Sequence, residues 1–441
     1  MRRVFILSVI CFSFFIRAHA QKVISLQESV QLGLQNNKQL KVALAKVELA
    51  ENKEKEIINL MLPRVNFQAE YRRLSNVDEF SVQFVPPPAP ATVLYPNLTN
   101  TSFFRIGFTE PLFTGLRGFT ALRSNQLLVE ASQLDVDKDK TEVFMNVVNT
   151  YYNMYKIELS SSVLDESLKM VESRLKDVNS LKNNGMATQN DILKVELQKS
   201  NIELNKLELE TNRAIANYNF NILLGIPDTT FLIIDTTQLF GEKESGNLAY
   251  FISESYANRS DLQAQEIRAQ VAENSVKIQK GAYYPQFYMS GNYLVANPNQ
   301  RNFPPEAKFT STWDFGIGLT WDITGLYTNK NNVNTAKINA SLAEIGAEGI
   351  EDMIKMDVNQ AYLQFNQSKE RIALAQKAVV QATENQRMMT SKFKNQLATI
   401  SDVLDADLLV IQAEMGLASA KTDSELAYYR LLKATGKLKE K

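Results

Sequence analysis

The chain has 441 residues, with 48 basic and 49 acidic side chains, one histidine and one cysteine. So even a balance of charge gives no support to nucleic-acid binding, and no nucleic-acid partner is expected. Both rare residues, Cys11 and His19, lie at the extreme N-terminus, which removes most nucleophile and metal chemistry from the rest of the chain.

The chain opens Met1-Arg2-Arg3, continues with an apolar run from Val4 to Ile16, and then reads Ala18-His19-Ala20. A basic start, a short apolar core and an A-x-A site predict a secretory signal peptide over 1–20, cleaved before Gln21. The core is too short to span a bilayer. Bulky Ile10 before Cys11, and the place of Cys11 within the core, argue against lipidation there. Cleavage takes Cys11, His19, Arg2, Arg3 and Arg17 away and leaves a mildly acidic chain without disulfide, Ser–His–Asp triad or His/Cys zinc site. No G-x-x-x-x-G-K-[ST] phosphate loop occurs either. The expectation is a protein with no catalytic residues, cofactor or metal, serving as a structural element or a conduit.

A first structural repeat is read over 21–225. A helix over about Ser25–Leu62 leads into Pro63. Beyond it Val65, Phe67, Ala69 and Tyr71 alternate with Asn66, Gln68, Glu70 and Arg72. That period of two predicts a strand near 64–75, and a second near 102–112 carries Phe104, Ile106 and Phe108 on one side. The loop between them holds Pro86-Pro87-Pro88-Ala89-Pro90. From Phe119 to Asn184 there is neither glycine nor proline, enough for a rod of roughly 100 Å at 1.5 Å per residue. Its stripe of Leu164, Leu168, Val171, Leu175 and Val178 is narrow, as in a coiled coil. A turn and a helix over about Asn190–Leu224 close the repeat.

A linker over 226–247 carries Phe231-Leu232-Ile233-Ile234. The second repeat, 248–441, follows the same plan, with strands near 285–294 and 312–322, a long helix over about Leu326–Phe393 and a tip near 393–402. The two halves also share residues in register. Leu40, Ala50-Glu51-Asn52, Lys55 and Pro63 return as Leu262, Ala272-Glu273-Asn274, Lys277 and Pro285. Thr114-Gly115, Val148-Asn149 and Tyr152 return as Thr324-Gly325, Val358-Asn359 and Tyr362. Ala187, Asp191, Tyr218 and Gly225 return as Ala398, Asp402, Tyr429 and Gly436. The chain is an internal duplication.

The strands have the length and one-sided apolarity of membrane strands. An ordinary half-buried sheet in a secreted coiled-coil structural or adhesion protein would alternate in the same way. Trp313 and Trp321, on one side of the last strand, favour the membrane, since aromatic belts mark its two interfaces. Four strands cannot close, and open edges in lipid are prohibitively costly, so spanning strands require several chains to pool them.

These residues resemble the family of TolC-like outer-membrane efflux factors. The resemblance rests on the duplicated plan, Leu62-Pro63, Pro111-Leu112-Phe113-Thr114-Gly115 and the two tip motifs, Asn184 to Leu193 and Leu397 to Ala406. It implies a fold mixing a membrane β-barrel with a long α-helical coiled-coil barrel, as a homotrimer with twelve strands in the outer membrane and a periplasmic helical tunnel. It also implies outer-membrane lipid around the strands, an equatorial region at the linker, a periplasmic adaptor protein and an inner-membrane pump. The function implied is a passive exit duct of an efflux or secretion system, gated at the helical tips.

The adaptor-facing tip turns are then Gly185, Met186, Ala187, Thr188 and Asp191 in the first repeat, and Leu397, Ala398 and Thr399 in the second. Asp191 and Asp402 fall in the first turn of the returning helices, where Thr188 or Asn190 and Thr399 or Ser401 can act as caps. Asp402 and Asp405 share a helix face and align with the aspartates of the family's closed entrance. A trimer would ring them around its axis, favouring cations, with mutual repulsion raising some of their pKa values. Phe393, Gln396 and Ala398 stand where the best-known members carry tyrosine, glycine and arginine latches. Packing and the acidic ring are therefore expected to hold this entrance.

Overall fold

The computed structural model describes residues 21–235, 243 and 246–438. The expected signal peptide over 1–20 and much of the end of the linker lie outside them. The chain forms two compact units that do not follow the repeats. One takes residues up to Ala45, Gln133–Gln263 and Glu348 onward; the other takes Lys46–Ser132 and Ala264–Ala347. Each unit draws on both repeats because partners from the two halves pair with each other.

In the second of these units the alternating segments are strands: β2 (Arg64–Arg73), β5 (Asn100–Phe113), β7 (Gln286–Asn297) and β8 (Thr310–Thr320). They form one antiparallel sheet in the order β2-β5-β7-β8, the halves joining where β5 pairs β7. The register stacks like with like. Phe67, Ile106, Tyr293 and Trp313 form one cross-strand row, and Val65, Phe108, Gly291 and Phe315 the next. The opposite face carries rows such as Asn66, Gly107, Asn292 and Asp314, where Asn292 Nδ2 donates to Asp314 Oδ1 at 2.9 Å. Much of the apolar face is bare: Trp313 is 72% exposed, Ile317 70% and Phe67 67%. Trp321 falls just beyond β8, its indole N–H donating to the Tyr283 carbonyl at 3.1 Å.

The proline-bearing loop also holds a small hairpin, β3 (Phe80–Val82) with β4 (Thr92–Tyr95), where the sequence reading had loop alone. Phe80, Val82, Val93 and Tyr95 are strong strand formers, and three-residue runs lie below what periodicity can detect. Tight chain reversals beside the sheet depend on glycine. Gly115 has φ +67, and a Cβ there would sit 2.2 Å from the Gly281 carbonyl oxygen.

In the other unit, β1 (Gln21–Ile24) pairs in parallel with β6 (Phe231–Ile234), so the apolar run of the linker is a strand. Tyr151 ties this ribbon down by donating its hydroxyl to the Ile24 and Asp235 carbonyls at 3.2 and 2.8 Å. The expected first helix is two helices, α1 (Leu26–Asn36) and α2 (Lys38–Leu60). The break is at Asn37, whose own side chain caps the Leu40 N–H at 3.0 Å. The two long rods are α3 (Arg117–Asn183) and α8 (Lys330–Lys394), preceded in the second repeat by the short α7 (Gly325–Thr328). Their returning partners are α4 (Gln189–Leu224) and α9 (Ile400–Ala434). The second repeat opens with α5 (Leu248–Asn258) and α6 (Ser260–Gly281), again broken, at Arg259.

Two apolar cores reproduce the duplication. Val148, Tyr152, Ala216 and Phe220 belong to one, and their counterparts Val358, Tyr362, Ala427 and Leu431 to the other. Among the described residues no helix is long and apolar enough to cross a membrane.

Gly115→Ala should lower stability by about 2 kcal/mol or more, combining left-handed strain with a backbone collision. Gly185→Ala, with φ +76 but nothing within 4 Å of the new Cβ, should cost only the strain. Thermal unfolding of the detergent-extracted variants, followed by circular dichroism, would order them; equal transitions would contradict this reading.

Candidate functional site

The two turns expected at the tips are built alike. After α3, Gly185 and Met186 donate their N–H groups back to the Lys182 and Leu181 carbonyls at 2.9 and 2.8 Å. After α8, Gln396 and Leu397 do the same to Phe393 and Lys392 at 2.9 and 2.8 Å. This closure needs a left-handed residue past the helix end. The first turn supplies Gly185; the second uses Gln396, at φ +60, a conformation that strains a residue with a side chain.

Each returning helix begins in a capping box. Thr188 caps α4, and Asp191 Oδ2 accepts from the Thr188 N–H and hydroxyl at 2.9 and 2.7 Å. Thr399 caps α9, and Asp402 Oδ2 accepts from the Thr399 N–H and hydroxyl, both at 2.7 Å. The caps are thus Thr188 and Thr399, not Asn190 and Ser401. These bonds hold both carboxyls below the usual aspartate range, led by the backbone N–H at Asp191 and by the hydroxyl at Asp402.

Within one chain the Asp402 carboxylate is turned toward its own helix start, and its pKa is lowered; the repulsion expected of a ring would arise only between copies. Asp405 is exposed and takes no part in the box.

The structure brings the two turns together. Gln396 Nε2 lies 3.2 Å from Met186 Sδ, and Lys194 on α4 donates to the Ser401 hydroxyl on α9 at 2.7 Å. Met186 and Leu397 are exposed, at 51% and 77%, while Ala187 and Ala398 are half-buried. Beneath them Val178, Ile192, Val195, Ile400 and Val403 form a core against which Phe393 and Leu404 pack. Trp313 and Trp321 belong to the sheet and not to this site.

A charged group that the sequence reading missed lies within this helix packing. Asp407 is fully buried, and its Oδ1 accepts from Arg174 Nη2 at 3.3 Å and from Gln386 Nε2 at 2.9 Å. Arg174 also donates to the Thr390 hydroxyl at 3.1 Å, so the group joins α3, α8 and α9. Arg174 Nε and Asp407 Oδ2 have no hydrogen-bond partner. The signal was present in the sequence: Val403, Asp407 and Val410 recur at core spacing, putting a carboxylate on the apolar stripe. Among the described residues no group of three or more His, Cys, Asp or Glu could hold a metal ion.

A family model described as outer membrane efflux protein matches residues 29–225 and 251–437, nearly all of both repeats. Outer membrane protein TolC of Vibrio cholerae serotype O1 is 26% identical over 215 residues, 47% of this chain and 48% of that protein. The matched stretch is thus about half that relative's length. Among solved structures, CusC aligns with a TM-score of 0.78 at 14% identity, covering 93% of this chain and 92% of that one. The Neisseria gonorrhoeae MtrE outer membrane channel, solved in its open state, aligns at 0.75 and 19%, covering 94% and 90%. At these identities the structures establish the fold.

Two outcomes are expected. Asp407→Ala should destabilise the chain by about 3 kcal/mol, since it strands Arg174 in the core, and Arg174→Met/Asp407→Leu should recover much of that in thermal unfolding. Asp191 and Asp402 have lowered carboxyls, so their stabilisation is complete above the ordinary aspartate pKa of about 3.9 and is lost as pH falls through their own lower values. Hydrogen exchange at the tip amides should lose protection across that acid range in the wild type. Asp191→Asn/Asp402→Asn should show no such pH dependence.

Proposed function

The chain belongs to the outer membrane efflux protein family, and on that premise we propose that it is the exit duct of a tripartite efflux or secretion system. It is an outer-membrane protein. It conducts passively, driven by an inner-membrane pump and joined to it through a periplasmic adaptor protein. It is not an enzyme.

The observation that carries this reading is the sheet. Its bare apolar rows suit hydrocarbon, and its polar rows suit a watery lumen. Its two outer strands, β2 and β8, each pair on one side only among the described residues. Neighbouring strands are antiparallel throughout, so β8 of one copy can pair antiparallel with β2 of the next and the ring can close without an edge. Three copies, as in the family, give a twelve-stranded barrel and bring three sets of tip helices around one axis.

The tip turns are the gate and the adaptor-facing surface, with Gly185 to Thr188 and Leu397 to Thr399 exposed or half-buried at the turns. Asp402 and Asp405 ring the entrance, and the Asp405 carboxylate, free of the capping box, is the stronger candidate for facing permeating ions. A secreted adhesion or structural protein remains without support from any relative.

Single-channel recording in planar bilayers tests this. The wild type should give a small cation-selective conductance that divalent cation on the tip side reduces, and Asp402→Ala/Asp405→Ala should raise it. Asp405→Ala alone leaves the cap of α9 intact and should reproduce most of the rise. No channel from wild-type protein would refute the duct, and unchanged selectivity in Asp405→Ala would refute the acidic entrance.

A further inference from the structure

The unit built around the two apolar cores contains a cavity of about 710 Å³, within the size range of pockets that take small organic ligands. It is lined by the α5–α6 break, the end of α9 and facing segments of α3 and α8. Gly436, at φ +70, lets the end of α9 press on the α5 terminus: a Cβ there would lie 2.7 Å from the Asn258 carbonyl.

The duplication supplies an internal control for this place. The matching break in the first repeat has Asn37 where this one has Arg259, and Val147 where this one has Asp357. Asn219 and Ile222 there match Arg430 and Lys433 here. Val147 is fully buried and packs on Gly33, which a Cβ would bring to 2.7 Å from it. The first repeat therefore buries a valine where the second has an aspartate held by Arg259, and its exposed Asn219 and Ile222 stand where the second has two cations. The fold alone requires only the first solution.

All four carboxylates on the wall are already taken. Arg259 grips Asp261 through two bonds, at 2.6 and 3.0 Å, and reaches Asp357 at 3.1 Å. Burial alone would raise the Asp261 carboxyl, but the Arg259 contacts bring it below the usual range, so the pair stays charged. Lys433 holds Glu142 and Lys140 holds Asp137, each at 2.9 Å. The side chains of two cations at the rim, Lys138 and Arg430, are exposed and make no hydrogen bond or ion pair among the described residues.

We propose that this cavity is a binding site for an organic polycarboxylate, its carboxylates held by Arg430 and Lys138. The planar guanidinium of Arg430 matches a carboxylate through two parallel N–H bonds, with Lys138 as a second, point-like positive charge.

Isothermal titration of the detergent-extracted full chain with triglutamate tests this, with triglutamine, citrate and inorganic phosphate as comparisons. Triglutamate should bind saturably and triglutamine should not. Lys138→Ala/Arg430→Ala should weaken binding by about tenfold or more, and Arg430→Lys should keep most of it. Citrate binding as well as triglutamate would identify small molecules as the source; triglutamate alone would identify an acidic peptide. If the double variant fails to assemble on size exclusion, Arg430→Gln gives the same readout. The proposal falls if triglutamate does not saturate, if the variants bind like wild type, or if phosphate binds as well as triglutamate.

Discussion

A strand at the edge of a sheet carries a row of N–H and C=O groups that water can satisfy and hydrocarbon cannot. In this chain that constraint falls on β2 and β8. The face they share is apolar and bare, and their outer edges are unpaired among the described residues. An apolar face alone could be covered by any partner. An apolar face with two open backbone edges of matching direction is best satisfied by more of the same sheet, and hence by copies of the chain. The duplication has already performed that step once, where β5 of the first repeat pairs β7 of the second.

The helices meet a different requirement. Rods as long as α3 and α8 are held along their length by apolar packing, but a narrow stripe alone leaves their alignment to a few well-defined places. The ends are fixed by capping boxes and turn hydrogen bonds that the two repeats reproduce almost atom for atom. Between the rods, Arg174 and Asp407 contribute little net stability as a pair but make any other alignment of α3, α8 and α9 expensive, because a shift would leave a buried charge alone. Gln396 adds to this. Its strained backbone replaces the glycine of the first turn, and in exchange its amide reaches Met186 across the tip.

The features legible in the sequence were those written in periodicity. The four long strands show a period of two, the rods lack glycine and proline, and the repeat appears in paired residues such as Asp191 and Asp402. What escaped reading depends on contacts far apart in the chain or on single side chains. β1 is four residues long and exists because Phe231–Ile234 lies beside it. The breaks at Asn37 and Arg259 carry neither glycine nor proline to announce them. Asp402 was legible as a first-turn acid behind a cap and as a neighbour of Asp405, but which cap it meets, Thr399, is set by local geometry. The Asp407 pair needed Arg174 from the other repeat to be understood.

Native mass spectrometry of the mature chain, extracted in detergent and released from the micelle, tests the edge-pairing constraint most directly. A homotrimer that resists dissociation is the predicted result, because each copy would hold its neighbours through the backbone bonds of β8 and β2. A stable monomer, soluble without detergent, would contradict it, since both edges and the bare apolar face would then be tolerated in water.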